Sequence, residues 1–485
     1  MPTSAEYLRF LPETILTIAG ILIMFIEAFQ PADSTSGETA AQRLFPGLTI
    51  IALIGALVAA ATSDFGTAFH DMLVIDTLGT FFRVLVIAIG VLVVLSSSEY
   101  LRRENSPGGE FYALLLFSIM GQCVMVTANE LIMIFIGLEI SSIATYILAG
   151  YLRDDPRNNE SALKYFLLGS FATAFLLYGV AWIYGITGTT NLELVRRAIE
   201  APGFDSLALA GVAAALIFVG LGFKVSAAPF QVWAPDVYQG APAPVAAFMS
   251  VGPKAAAFAI LIRIFLTAFG PISDRWTPMV WACALATMIV GNFAALKQTN
   301  IKRMLAYSSI AHAGYVLVAV TAHSDTGAAA AMFYLAAYAL TNIGAFAVVT
   351  YFARKGEKYV AIDDFAGLAQ RQPMMAAMMT IFLLSFIGVP LTGGFFGKFY
   401  IFKSALDSNL IWLTVLGLLN SAVAAYYYLY ILVVMYMKEP RESAEALPPV
   451  GFGLKIAVYA SALGTLILGI FPSAVLDYAS RAILK

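Results

Sequence analysis

Long apolar runs separated by short polar segments dominate the chain. They lie near 12–30, 44–63, 76–96, 110–127, 130–151, 162–185, 207–229, 244–267, 276–296, 303–322, 326–352, 373–408, 411–437 and 452–473. A helix needs about 20 apolar residues to cross about 30 Å of hydrocarbon, and most of the runs are of that length. The pattern predicts an all-α polytopic membrane protein with about fourteen transmembrane helices. Few connecting segments exceed about a dozen residues, so residues 1–485 are read as a single membrane domain. The first run has neither a basic segment before it nor a convincing cleavage site. It is expected to be a retained helix rather than a signal peptide.

Composition sharpens this by exclusion. Of 485 residues, 60% are hydrophobic and 12% charged, where soluble domains average about 45–50% and about 25%. Mean hydropathy is +0.83. With 28 basic and 30 acidic residues the net charge is −2, so there is no basic excess for nucleic acid and no acidic excess to keep a chain disordered. Cys123 and Cys283 sit in apolar runs without CxxC spacing. That argues against a disulfide framework, a zinc site and an iron–sulfur cluster. No redox centre is expected in this chain.

Basic residues collect in cytoplasmic loops. Fourteen, from Arg43 to Arg441, follow odd-numbered runs, while seven, from Arg9 to Lys485, lie at the termini or after even-numbered runs. Both termini are therefore expected outside, in the periplasm of a bacterium whose inner membrane holds the chain; a mitochondrial inner membrane is the alternative.

Seven basic residues remain inside the runs: Arg83, Lys164, Lys224, Lys254, Arg263, Lys398 and Lys455. Arg263 and Lys455 are near run ends, where long side chains snorkel to the interface. Arg83 is seven residues from Asp76 and could pair with it. Lys164 is about one turn inside its run, where interface and functional readings stand level. Lys254 and Glu139 are about nine or ten residues from their run ends, near the midplane at 1.5 Å per residue. A charge there costs about 2.5–3.5 kcal/mol on insertion scales, which calls for a partner, a polar cavity or a function. His312, in AYSSIAHAGY, is about as deep. It is read either as a satisfied interhelical hydrogen bond or as a proton-passing imidazole.

Run 373–408 would make a helix about 54 Å long, too long for the membrane. It must break, and Pro390 with Gly393 and Gly394 marks the place. The seventh run meets Pro229 and Pro235. Irregular backbone at this depth survives only where protein or water satisfies it. Each break has a lysine beside it, Lys224 or Lys398.

Glu139 to Lys224 is 85 residues and His312 to Lys398 is 86. Two five-helix units follow, 110–270 for helices four to eight and 271–440 for nine to thirteen. Helices one to three occupy 1–109, and helix fourteen with its tail 441–485. An odd number of helices per unit inverts the second copy relative to the first, as in transporters. TGGFFGKF only superficially resembles a P-loop, and no GxGxxG, HExxH or haem pair is present. Lysines with one deep acid suit proton movement.

The stretches FLPETILTIAGILI, ELIMIFIGLEISSIATYILAGY, SALKYFLLGSFATAFLLYG, GFKVSAAPFQVWAPDVYQGAPAPVAAFMSVGPKAAAF, NIKRMLAYSSIAHAGY and GVPLTGGFFGKFYIF resemble the subunit N family of bacterial NADH–quinone oxidoreductase (respiratory complex I). The mitochondrial counterpart is that complex's subunit 2. The likeness covers nearly the whole chain. It implies fourteen helices with two inverted five-helix repeats and broken helices seven and twelve. It places Glu139 at the family's helix-five glutamate, and Lys164, Lys224 and Lys254 at its lysines of helices six, seven and eight. Lys398 falls at the helix-twelve charged position, and His312 in the SSIAHxGY motif of helix ten. It also implies other membrane-arm subunits and a peripheral redox arm as partners. NADH, FMN, iron–sulfur clusters and quinone would be held there, with no cofactor in this chain. The resulting expectation is a proton relay of Glu139, Lys164, Lys224, Lys254, His312 and Lys398, driven by quinone reduction elsewhere. Two rivals are a subunit of a multisubunit cation/proton antiporter and a scaffold whose buried charges merely pair.

Overall fold

The computed structural model describes residues 2–29, 40–106, 108–440, 447 and 449–482. Arg441 and Lys485, both used in the orientation count, lie outside the described residues. Among the described residues, thirteen helices are long and apolar enough to cross a membrane. The fourteenth crossing, twelfth in order, consists of two half-helices, Pro373–Ile387 and Gly393–Asp407, of 15 residues each. Each half rises only about 22 Å, too short to span alone.

In order, the first six spans are Leu11–Ala28, Ala40–Ala61, Thr77–Arg103, Gly109–Thr127, Leu131–Ala149 and Pro156–Thr187. The seventh joins Leu207–Val225 to Ala234–Gly240 through a 3-10 turn, Phe230–Trp233. Ala243–Arg263, Ser273–Ala295, Ile301–Thr321 and Asp325–Ala353 are spans eight to eleven, and Ile411–Met437 and Phe452–Ile470 are thirteen and fourteen. A short antiparallel hairpin, Gly66–Ala68 with Leu73–Ile75, precedes the third span.

The sequence pattern missed several short helices, the longest being Leu192–Glu200, between spans six and seven. It buries Leu192, Val195 and Ile199, while Glu193, Arg196 and Arg197 pair along its outer side. The helix is amphipathic, but at nine residues with four charged ones it is too short and too polar to stand out among apolar runs of about 20 residues.

Spans eight, ten and eleven form the centre, buried along nearly all of their apolar length. The outer spans expose apolar side chains such as Ile136, Ile143, Leu167 and Phe171, as a surface facing lipid tails should. Spans four and five cross closely at Gly121 and Gly137. A Cβ on either glycine would come within 2.8 Å of the other helix's backbone, so only glycine permits the approach.

Three buried cations depart from the sequence expectations. Arg83 pairs not with Asp76 but with Glu13 of the first span, in a fully buried ion pair; the fold brings in a partner 70 residues away. Asp76 instead caps the third span and accepts two hydrogen bonds from Arg263, at 2.8 and 2.9 Å. Arg263 is therefore a buried clamp on span eight rather than a snorkelling side chain. Lys302, counted among the basic loop residues, is fully buried against Glu357.

Candidate buried relay and its two clefts

Both breaks are made locally. The first half of span seven ends in Ser226, in the left-handed region at φ 61°. The Ala227 N–H returns to the Gly222 carbonyl at 2.8 Å, and the Trp233 indole N–H donates to the Phe223 carbonyl at 2.9 Å. Span twelve stops at Gly388, φ 91°. Its freed carbonyls at Phe386 and Ile387 accept hydrogen bonds from the Lys398 ammonium, at 2.8 and 3.0 Å. An ammonium there also faces the negative end of a half-helix dipole. Thus Lys224 lies in the last turn before its break, whereas Lys398 lies in the half-helix after its own.

The Lys224 ammonium donates to Ser142 Oγ at 2.8 Å and to the Tyr165 hydroxyl at 3.1 Å. Glu139 is not its ion-pair partner. It lies one turn from Ser142 on span five, half-buried, with Oε1 buried and without a hydrogen-bond partner. Tyr165 stacks on Trp233 with centroids 4.5 Å apart, Trp233 meets Tyr238 edge-on at 5.8 Å, and Lys254 lies over the Tyr238 ring at 5.6 Å. An aromatic bridge thus leads from Lys224 to Lys254.

Lys254 donates to Ser309 Oγ at 2.6 Å. Span ten carries Ser309, His312 and Tyr315 at three-residue steps, which places them along one side of the helix. Lys254, Ser309, His312, Tyr334 and Tyr338 line a small pocket of about 10 Å³, near the minimum that holds one water. His312 Nδ1 is 2.5 Å from the Tyr334 hydroxyl, and Nε2 is 3.1 Å from that of Tyr428. Lys398 lies over the Tyr315 ring at 4.9 Å and donates to Ser421 Oγ at 2.8 Å. Span ten thereby joins the lysines of spans eight and twelve.

Lys164 stands apart. Its side chain is 40% exposed and pairs with Glu160 and Asp236, both at 2.7 Å. These groups, with Arg303 on the other oxygen of Asp236, line a polar cleft of about 270 Å³ on the face of the loops that follow odd-numbered spans. A second cleft, of about 400 Å³, opens on the opposite face beside Tyr400, Lys403, Ser404 and Asp407. Lys398 is nine residues from the end of the half-helix that lines it, a rise of about 14 Å.

Charge pairing sorts the buried cations. Arg83, Arg263 and Lys302 each have a carboxylate partner. Among the described residues, Lys224, Lys254 and Lys398 have hydroxyl, phenol and carbonyl oxygens instead. All three are at most 7% exposed. Sequence reading missed Asp236, Glu357 and the tyrosines, because an acid near a run end and an aromatic within a run look ordinary until the fold assembles them. No group of three or more His, Cys, Asp or Glu among the described residues could hold a metal ion.

The family described as NADH:quinone oxidoreductase/Mrp antiporter, TM, matches residues 128–424. NADH-quinone oxidoreductase subunit N 1 of Solibacter usitatus is 62% identical over 489 residues, covering 99% of each chain. Subunit N 2 of Koribacter versatilis is 48% identical over 493 residues, covering 98% of this chain and 96% of that one. Among solved structures, respiratory complex I from Thermus thermophilus with bound aureothin contains a chain of TM-score 0.80 and 33% identity, covering 96% of this chain and 98% of that one. The Mrp complex from Dietzia sp. contains one of TM-score 0.83 at 19% identity, covering 99% and 97%, a likeness of fold alone.

Proposed function

This chain belongs to the subunit N family of NADH–quinone oxidoreductase, and from that premise we propose a route for its protons. The chain is a proton-translocating membrane-arm subunit of that complex. Its two five-span units are 110–270 and 271–440. The face of the loops after odd-numbered spans is the cytoplasm of a bacterial cell, which places both termini in the periplasm; the two-to-one excess of basic residues supports this. The remaining membrane-arm subunits and the peripheral arm are its partners. Flavin, iron–sulfur clusters and quinone belong to those subunits, a division favoured by the two separated cysteines here.

Protons enter the cleft at Lys164 and Asp236, reach Lys224 and then Lys254, cross by His312 to Lys398, and leave by the second cleft. Neighbouring groups more than about 3.2 Å apart exchange through internal water. Glu139, one turn along span five from the Ser142 that holds Lys224, sets the charge of Lys224, since a nearby carboxylate favours a lysine's charged form. The single observation that carries this reading is the sorting of buried cations. A buried charge is normally answered by an opposite one. The three lysines of the line are held by neutral oxygens, which allow them to release and regain a proton. A scaffold of structural ion pairs would show carboxylates at these places too.

Lys254→Ala should remove most NADH-driven proton pumping, and Lys224→Ala should lower it substantially, with the complex still assembled in both. Normal pumping by either assembled variant contradicts the route.

A further inference from the structure

We propose that Glu357 and Lys302 form a second intake, which delivers protons from the odd-loop cleft to Lys254 without passing Lys224; it rests on the relay reading above. Glu357 lies in the connection between spans eleven and twelve, on the wall of that cleft, yet is only 9% exposed. Its Oε1 accepts from the Tyr100 hydroxyl at 2.9 Å and from the Ala243 N–H at 2.7 Å, and its Oε2 from the Lys302 ammonium. Lys302 also donates to the Ala241 carbonyl at 2.6 Å. One side of this pair thus meets the cleft. The other meets the first residues of spans eight and ten, the helices that carry Lys254 and Ser309.

Above the pair, a polar level leads toward Lys254. Ser250 of span eight accepts a hydrogen bond from Asn342 Nδ2 of span eleven, at 2.5 Å. Asn342 Oδ1 and the Tyr338 hydroxyl, on the wall of the Lys254 cavity, are both buried without a hydrogen-bond partner. Buried polar atoms are nearly always satisfied, and internal water is a usual partner. From Ala243 to Ser250 is about 10.5 Å along the helix, and from Ser250 to Lys254 about 6 Å. Internal water is what would bridge both steps.

The transfer balances. A hydronium in the cleft gives its proton to the Glu357 carboxylate. Lys302 releases one proton toward Ser250 and Asn342, and is reloaded by the Glu357 carboxylic acid. One proton has moved inward, and both groups end as they began. A purely structural knot needs the hydrogen bonds but not the exchange, and glutamine separates the two, because its amide keeps the shape and an acceptor oxygen.

The test is proton flux per NADH oxidised, in vesicles holding equal amounts of assembled complex. Glu357→Gln should lose much of the flux, and Glu357→Asp should recover much of it. The double variant Glu357→Gln with Lys302→Met avoids leaving a buried charge unpaired, and should also lose flux. Full flux in either neutral variant overturns the proposal. So does failure of both to assemble, which would assign the pair to structure. Lys254→Ala in parallel separates the two claims: if it stops pumping while Glu357→Gln pumps normally, only the second intake has failed. If Lys254→Ala also pumps normally, the relay itself has failed.

Discussion

A buried cation is costly unless something answers it, and the residues here give two kinds of answer. Arg83 and Arg263 have carboxylates and, as guanidinium groups, stay charged, whereas Lys302 has in Glu357 a carboxylate that can also reload it. Lys224, Lys254 and Lys398 have oxygens that solvate an ammonium without locking its charge. Glu139 completes the picture as a carboxylate with one buried oxygen lacking a hydrogen bond. If its charge acts on Lys224, Glu139→Asp should keep much of the proton flux and Glu139→Gln little. Equal flux from the two, in membranes of equal complex content, would contradict an electrostatic role. Depth within an apolar run was enough to single out Lys254 and Glu139 in the sequence. Partners were not legible in the same way. Arg83 sits near Asp76 along the chain, but helix packing supplied Glu13 instead. Glu357 looked like one more loop acid until spans three, eight and ten closed around it.

Elements explain where these residues come to rest. Apolar run lengths display the spans directly, and a run too long for one crossing reveals the break in span twelve. What the pattern cannot show is how a break is held. Gly388 adopts φ 91°, a conformation that costs an L-residue about 1–2 kcal/mol. A Cβ there would lie 3.2 Å from Lys398 Cδ. Gly388→Ala should therefore reduce both complex content and flux, read by native gel and vesicle assay; unchanged values would mean that the bend tolerates a side chain. The clamp between spans three and eight gives a pH test. Burial would raise the Asp76 pKa, but the Arg263 charge and hydrogen bonds outweigh it and hold the carboxyl below its usual value. A depressed folded-state pKa stabilises above the unfolded value, and that contribution is lost as pH falls through the folded one. Asp76→Asn should lower the melting temperature of the purified complex near neutral pH. The difference from wild type should shrink once pH drops below about 4. A difference independent of pH would place the effect outside the ion pair.

Across the whole molecule, two clefts open on opposite faces and are offset sideways. One is lined by spans six, seven and ten, and the other by eleven and twelve with the segment after fourteen. Between them lie Lys224, Lys254, His312 and Lys398, in the thickness where lipid-facing charge is least tolerated. No continuous pore is needed, because each lysine can hold a proton while one side or the other is open. The central claim is that these lysines exchange protons rather than merely carry charge, and Lys398 tests it most directly. Arginine at that position keeps the charge and can still donate to the carbonyls of Phe386 and Ile387, but a guanidinium stays protonated in proteins. The decisive measurement is proton flux per NADH oxidised, in vesicles holding equal amounts of assembled Lys398→Arg and wild-type complex. A substantial fall is the result expected of a proton carrier, and full flux would show that Lys398 is only a fixed charge.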